Sequence, residues 1–298
     1  MPLDGGNLLL SDAEKNELLR IEPNAEKFII PLISAHEFLN GENRWCIWLA
    51  NVEPSEVNRL PEILKRVEAV KNFRLSSKRP QTIEKAVYPS LLGEIREFGK
   101  QYILIPRHSS ENRKYIPIGF FHDTAIPSDS CIVVTEGNLY MFGQLTSAMH
   151  MTWVKHMCGR IKSDFRYSKD IVYNNYPFPQ NPTEKQQQAV EAAAQSVLDA
   201  RAIFPGSSLA DLYNPLTMPP ALLKAHQQLD KAVDLCYRPQ PFTTEASRME
   251  FLFDLYNQYT KDLFTEEKKG KKAKVKIERI VENLRSRQTN PCRTQNNT

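Results

Sequence analysis

The pattern of apolar and polar positions divides the chain into a first part with short strands and helices and a last part that is helical. Runs of aliphatic and aromatic residues at 44–50, 101–107 and 115–121 predict strands. The prolines inside the last two runs favour sheet edges or bends over a central position in a sheet. The run CIVVTEGNLYMFG, residues 131–143, predicts further strands.

Helix signals flank these runs. Ser11 and Glu14 have capping-box spacing, and Pro61 stands at the first turn of a helix with an apolar face. After Pro182 the composition turns helical, with Thr183 as an N-cap before a run rich in alanine, glutamine and glutamate. After that run the sequence predicts a short helix, a Pro-rich turn, a long helix and a further helix. The boundary between the mixed part and the helical part falls near Pro182.

The stretch 147–179 organises the chain, because it begins as a helix and then changes its period. Thr146 or Ser147 caps the helix, and Gly159 stands where a helix would leave through the left-handed conformation. Apolar side chains recur every four residues on one face at Met149, Trp153 and Met157.

From 160 to 166 the side chains alternate in charge. The even positions are charged, and they are Arg160, Lys162, Asp164 and Arg166. The odd positions are Ile161, Ser163, Phe165 and Tyr167. An extended strand would therefore display its charges on one side and anchor its other side in a core. Two interpretations are open here, an edge that reads nucleic acid or a solvated strand laced by salt bridges.

Three long motifs decide between these interpretations by resemblance. GRIKSDFRYSKDIVYNNYPFP (159–179), PRHSSENRKYIPIGF (106–120) and SSLADLYNPLTMPPALLKAHQQLDKAVD (207–234) resemble the region that follows the methyltransferase domain in MmeI-like type II restriction-modification enzymes. The likeness runs from DGGNLLLS near the N-terminus to about residue 259, and in the family that first segment is the exit from the methyltransferase domain. The resemblance implies adenine-specific DNA methylation, of which this chain holds the part that reads double-stranded DNA.

The resemblance also implies a specificity pair at Lys162 and Asp164. In the family the charges of this pair occur in either order, and here lysine comes first. Lysine donates to guanine O6 and N7 and aspartate accepts from cytosine N4, so the pair is expected to read one G·C base pair in the major groove. On a strand the two residues share a face and lie about 6.6 Å apart along it. The alternative is that Asp164 forms a salt bridge with Arg160 or Arg166.

Basic and hydroxyl side chains elsewhere are expected to contact phosphates or lie near them. They are Lys71, Arg74, Lys78, Arg79, Arg107, Ser109, Arg113, Lys114, Arg160 and Arg166. The alternatives are a solvated loop at 71–79 and a polar hairpin tip at 107–114.

Composition adds little to this picture. Lys plus Arg is 39 against 35 for Asp plus Glu, and a net charge of +4 is too small by itself to indicate nucleic-acid binding. The five cysteines have no zinc-site spacing and are expected to be buried free thiols in a reducing cytoplasm. No apolar run approaches the roughly twenty residues that span a bilayer, so the expected location is cytoplasmic without membrane contact.

Catalytic motifs are absent from the sequence. No Gly-x-Gly loop for a methyl donor occurs, and no Asp/Asn-Pro-Pro-aromatic motif for a flipped adenine. A carboxylate-x-lysine pattern occurs only at 266–269, inside a lysine run. We therefore expect no catalytic residue, metal site or cofactor in this chain. S-adenosylmethionine would belong to a methyltransferase domain acting in cis or in trans.

The sequence thus predicts an α+β fold with three parts. A mixed-strand DNA target recognition domain covers 1–181, a helical C-terminal domain covers 182–264, and a Lys-rich, partly disordered tail covers 265–298. Two alternatives stay open. The chain represents an adenine methyltransferase that works only with domains outside it, or it is a stand-alone specificity subunit acting with a separate methylase.

Overall fold

The computed structural model describes residues 3–93, 95, 101–121 and 125–261, which mix strands and helices as the α+β prediction requires. The strands are β1 (Leu9–Leu10), β2 (Ile29–Ile33), β3 (Trp45–Ile47), β4 (Tyr102–Pro106), β5 (His108–Ser109), β6 (Gly119–Phe121), β7 (Ile126–Pro127), β8 (Cys131–Thr135), β9 (Gly159–Ile161) and β10 (Asp164–Arg166). The helices are α1 (Asp12–Ile21), α2 (Ala35–Asn40), α3 (Pro54–Val57), α4 (Pro61–Leu75), α5 (Pro80–Glu84), α6 (Leu139–Thr146), α7 (Ala148–Met157), α8 (Glu184–Ala202), α9 (Leu209–Leu212) and α10 (Pro220–Tyr237). Short 3-10 turns span Pro23–Phe28 and Lys85–Val87, and a π-helical turn spans Lys169–Tyr173.

The N-terminal part is built on a four-stranded sheet in the order β1-β3-β2-β7. β2 pairs antiparallel with β3 and parallel with β7, and β3 is the strand predicted at 44–50. The capping box of Ser11 and Glu14 begins α1, and α4 begins at Pro61, both as predicted. Leu10, Ile47 and Ile63 are fully buried between this sheet and the helices that cover it.

A second sheet has three strands in the order β6-β4-β8. β4 is its central strand, and Leu104 pairs with Gly119 on one side and Val133 on the other. The expectation that proline would keep this run at an edge is therefore wrong. Pro106 is tolerated because it stands at the last position of the strand, opposite Cys131.

Residues 139–146 form helix α6, so the prediction of a strand there is wrong. The Asn138 side chain accepts a hydrogen bond from the Met141 amide at 2.8 Å and caps the helix. Gly143 lets two later helices approach α6, because a Cβ at this position would lie 2.7 Å from Val190 Cγ1 and 3.3 Å from Leu229 Cδ1. Helices α8 and α10 therefore pack closely against α6 at Gly143.

The helices after Pro182 pack onto the part of the chain that precedes them. Thr183 and Gln186 form a capping box at the start of α8, as the sequence predicts. α8 packs along α10 and across α6, and one compact unit extends through residue 243. The next unit contains a helix over 245–261, which was also predicted. The predicted tail, 265–298, lies outside the described residues.

Four cysteines have buried free thiols, as predicted, and they are Cys46, Cys131, Cys158 and Cys236. Burial raises the pKa of the Cys46 thiol to about 12. Within the described ranges, no helix is both long enough and apolar enough to cross a bilayer.

Candidate nucleic-acid interface

The charged stretch after α7 is a β-hairpin and not the single strand that its alternation predicts. β9 and β10 are antiparallel, with Ile161 opposite Asp164, which leaves Lys162 and Ser163 as the turn. Lys162 adopts the left-handed conformation with φ 54°. The predicted spacing along a strand is therefore wrong, because Lys162 lies in the turn and Asp164 begins the returning strand. We call Lys162, Ser163 and Asp164 the hairpin tip.

The entry into the hairpin also differs from the expectation. Ser147 caps α7 as predicted, with its hydroxyl accepting from the His150 amide at 3.3 Å. The helix ends at Met157, and Cys158 is already extended with φ −74° and ψ 140°. Gly159 does not take the left-handed conformation and instead opens β9. The chain therefore passes straight from helix to strand, which fixes the direction of the hairpin.

Buried aromatic side chains anchor the hairpin. Phe165 and Tyr167 are each 2% exposed, as predicted for the apolar side of the stretch, whereas Ile161 is 44% exposed. β10 lies in the middle of a three-stranded sheet in the order β5-β10-β9. Both edges of β10 are thus paired, and the tip projects from a fixed base.

A buried histidine holds the end of this sheet. His150 Nδ1 lies 2.7 Å from the Leu145 carbonyl oxygen, which can only accept, so Nδ1 carries the proton. Nε2 of the neutral ring then accepts from the Tyr167 hydroxyl at 2.9 Å. Burial lowers the pKa of His150 to about 4. His150 therefore has a structural role, because it joins α7 to the residue that follows β10.

The hairpin tip is exposed and tied to a neighbouring loop, Ser110–Lys114, which we call the 110–114 loop. Asp164 Oδ1 accepts a hydrogen bond from the Glu111 amide at 3.2 Å. Arg160 Nη1 lies 3.7 Å from the Glu111 carboxylate, and its guanidinium carbon lies 4.1 Å from the Phe165 ring centroid. Arg160 thus pairs with Glu111. The alternative interpretation, a salt bridge of Asp164 with Arg160 or Arg166, is not found among the described residues.

The 110–114 loop presents two of the predicted phosphate contacts. Lys114 is exposed, and Arg113 is half-buried. Arg113 Nη1 donates to the Ser109 hydroxyl at 3.3 Å, and burial lowers the pKa of Arg113. Ser109 is 4% exposed in β5 opposite Phe165, so direct contact of its hydroxyl with a phosphate is ruled out, although it lies next to a predicted contact. Its hydroxyl supports Arg113 instead.

A half-buried carboxylate on α10, Asp230, fixes the end of this loop through hydrogen bonds that the sequence analysis missed. The Tyr115 hydroxyl donates to Asp230 Oδ2 at 2.7 Å, and the Ala148 amide donates to Oδ1 at 2.7 Å. The Tyr115 ring stacks on His226 with centroids 4.0 Å apart. One side chain of α10 therefore joins the loop to the N-terminus of α7.

An arginine on α8 extends the same network. Arg201 Nη1 donates to the Ile118 carbonyl at 2.7 Å, and its Nε donates to the Tyr213 hydroxyl at 2.8 Å. That hydroxyl lies 2.7 Å from His226 Nε2. Helices α8 and α10 thus hold both ends of the segment that follows the 110–114 loop.

The basic residues in the last turns of α4 and just after it have two different environments. Arg74 is 1% exposed, and its guanidinium donates to the carbonyl oxygens of residues 3, 85, 88 and 91 at 2.6–2.9 Å. Its expected contact with phosphate is therefore wrong, because the interior uses its donors. Lys71, Lys78 and Arg79 are exposed around α4 and α5, and their contact with phosphate stays a prediction.

The two remaining predicted contacts lie beside the hairpin. Arg166 is exposed at the end of β10, next to the buried Phe165 and Tyr167. Arg107 is half-buried, and its carbonyl oxygen accepts from the Tyr167 amide at 2.8 Å. In the part of the chain that is described, no group of three or more His, Cys, Asp or Glu side chains is arranged to hold a metal ion.

Comparisons with known proteins identify the family of the chain. The profile described as MmeI, target recognition domain, matches residues 1–180, and the profile described as MmeI, C-terminal domain, matches 182–264. A protein called DNA methyltransferase A from Bacillus subtilis (strain 168) is 37% identical over 260 residues, which is 87% of this chain. This chain spans 29% of that relative's length.

A solved structure shows the same fold. The structure of the type IIL restriction-modification enzyme MmeI in complex with DNA matches with a TM-score of 0.83 and 43% sequence identity. The match covers 87% of this chain and 35% of the MmeI chain. The chain therefore belongs to the MmeI family, and it carries that family's target recognition domain followed by its C-terminal domain.

Proposed function

We propose that this chain selects the DNA sequence on which a restriction-modification enzyme acts. The observation that carries the proposal is the hairpin tip, which projects Lys162 and Asp164 from a sheet anchored by buried Phe165 and Tyr167. A rigid, exposed tip of this kind suits insertion into the major groove, where base edges carry a distinct donor and acceptor pattern. MmeI, which shares the fold, was solved in complex with DNA.

In this proposal Lys162 and Asp164 read one G·C pair from a turn. Lys162 donates to guanine and Asp164 accepts from the cytosine amino group. The Glu111 amide holds one carboxylate oxygen of Asp164, which orients the side chain and leaves the other oxygen for the base. The 110–114 loop, and not a shared strand face, therefore positions the reading pair.

Phosphate contacts would position the tip without reading sequence. The basic residues that the structure leaves exposed or half-buried can serve, and they are Lys71, Lys78, Arg79, Arg107, Arg113, Lys114, Arg160 and Arg166. Binding through such residues releases counterions, so affinity should fall steeply as the salt concentration rises. In a plot of the logarithm of the binding constant against the logarithm of the salt concentration, the slope is about −0.9 per phosphate contacted.

Catalysis in this proposal belongs to a methyltransferase domain in the same polypeptide or a separate one. The reaction would be methylation of an adenine amino group with S-adenosylmethionine as the donor, bound in that domain. The absence of a Gly-x-Gly loop from the sequence supports this division. The comparison with DNA methyltransferase A supports it as well, since that relative extends well beyond the matched region.

The test of the proposal exchanges the charges of the reading pair. The chain is joined to a methyltransferase domain, and modified sites are mapped for the wild type and for Lys162→Glu with Asp164→Arg. We expect the guanine and cytosine to exchange strands at one position of the recognition site, with other positions unchanged. Glu17→Lys with Arg20→Glu, which inverts an exposed ion pair on α1, is the matched control and should change no position. Loss of modification at every site, or an unchanged site, would show that the pair is structural.

A further inference from the structure

A cleft of about 470 Å³ separates the 110–114 loop from the connection between α9 and α10. Its lining comes from Ser110, Asn112, Arg113, Ala210, Asn214, Pro215 and Leu216. The cleft lies beside the hairpin tip, because Glu111, between two lining residues, donates its amide to Asp164. A ligand that reaches the tip would therefore meet this cleft next.

The wall on the loop side offers a cation with spare donors. Arg113 is half-buried. Among the described residues, its guanidinium donates one hydrogen bond, to the Ser109 hydroxyl. A guanidinium has several N–H groups, so most of them are free to bind an anion in the cleft. Glu111 pairs with Arg160, and Asp211 accepts from the Ser208 hydroxyl at 2.6 Å. Asp164 is the one carboxylate whose charge acts on Arg113 among the described residues, and its hydrogen bond goes to the Glu111 amide and not to the guanidinium.

The opposite wall holds an apolar side chain rigidly in the open. Leu216 is 93% exposed, whereas Leu235 on α10 is 51% exposed. The Asn214 side chain accepts from the Leu216 amide at 2.9 Å, and its carbonyl accepts from the Met218 amide at 2.9 Å. The Thr217 hydroxyl donates to the Asp211 carbonyl at 2.7 Å, which closes the loop. One exposed leucine is ordinary, but this one faces a basic cleft at a predicted DNA surface.

We propose that this cleft holds one nucleotide of the bound DNA strand, with its phosphate on Arg113 and its deoxyribose against Pro215 and Leu216. An apolar wall facing a guanidinium matches the alternation of sugar and phosphate along a strand. The C-terminal domain thereby becomes part of the DNA-binding surface. The proposal rests on the proposed function, because both place DNA at the hairpin tip.

The test measures binding of a fluorescent mixed-sequence duplex to the full chain by anisotropy over a series of salt concentrations. Leu216→Ala should weaken binding by about three- to tenfold at every salt concentration without changing the slope, because it removes an apolar contact and no charge. Arg113→Ala should flatten the slope by about 0.9, the effect of one phosphate contact. Leu235→Ala is the matched control and should bind as the wild type does.

A photoreactive amino acid at position 216 gives a second measurement that does not depend on affinity. We expect it to crosslink to the duplex, and the same group at position 235 to leave the duplex unlabelled. Wild-type affinity for Leu216→Ala, or no crosslink from position 216, would overturn the cleft proposal and leave the proposed function standing. A wild-type chain that binds no duplex would overturn both.

Discussion

Two basic residues four positions apart, Arg74 and Lys78, show that similar charges have different roles. Arg74 follows Ile63 and Val70 at helical spacing, so it lies on the apolar face of α4. The spacing from Ile63 and Val70 indicates that Arg74 is buried. The sequence analysis instead took the neighbouring basic residues as evidence that Arg74 is at the surface. Burial lowers the pKa of Arg74, but four carbonyl oxygens satisfy its donors. Lys78 lies beyond the end of the helix, in solvent.

We expect Arg74→Met to lower the free energy of unfolding by about 3 kcal/mol, because four carbonyl groups lose the buried donor that joins them. Lys78→Met should change that free energy by less than about 0.5 kcal/mol. Urea titration of both variants measures the difference. The slope of the unfolding free energy against urea concentration should be the same in both variants and the wild type. A stable Arg74→Met variant that binds DNA with a flatter salt slope would return Arg74 to the phosphate contacts.

At the scale of the elements, local signals predicted helices better than they predicted the hairpin. The caps at Ser11, Ser147 and Thr183 were predictable, since each depends on a side chain and an amide three residues apart. The turn was missed because Lys162 and Ser163 are not the asparagine, aspartate or glycine that usually mark a two-residue hairpin turn. Alternation still predicted the buried Phe165 and Tyr167, because a hairpin keeps the period of a strand.

The contact between His150 on α7 and Tyr167, just after β10, gives the protein an acid-sensitive element. Its His150 has a pKa of about 4 when folded, against about 6.5 when unfolded. The unfolded chain therefore binds the proton first, so stability is complete above about pH 6.5 and falls as the pH approaches 4. The total loss expected from this group is about 3 kcal/mol.

We expect His150→Gln to be less stable than the wild type at neutral pH and to lose less stability on acidification. Unfolding free energies measured between neutral pH and pH 4.5 test this. Tyr167→Phe is the matched control, because it removes the hydroxyl that His150 Nε2 accepts but leaves the ring buried. That control should lose about 1 kcal/mol and keep most of the wild-type pH dependence, because burial of the ring, the main cause of its low pKa, is retained. Equal slopes for His150→Gln and the wild type would assign the acid sensitivity to other groups, of which His226 is one.

Across the whole molecule, the contacts that set the candidate site join residues far apart in sequence. Tyr115 and Asp230 are 115 positions apart, and Ala148 and Asp230 are 82 apart. No local pattern marks such a pair, so the sequence predicted the charged residues of the site but not the network that holds them. It also predicted the helices after Pro182 as a separate domain, but it did not predict that α8 and α10 pack against α6.

The close packing at Gly143 tests whether that arrangement stabilises the recognition part. Gly143→Val would place side-chain atoms on Val190 and Ala194, where a Cβ alone approaches to 2.7 Å and 3.2 Å. We expect a loss of about 1–3 kcal/mol in the free energy of unfolding, since overpacking a filled interface forces helices apart. Gly206→Ala is the matched control and should be close to neutral, because no atom lies within 4 Å of its added Cβ.

A second substitution shows whether the loss comes from α8. Val190→Ala shortens the side chain that Gly143→Val would strike. The double variant should therefore lose less stability than the sum of the two single losses. Coupling of this sign requires α8 to rest on α6 in solution. Strict additivity of the two losses would mean that the helices after Pro182 separate from α6. The Tyr115–Asp230 contact would then no longer hold the 110–114 loop beside the hairpin tip.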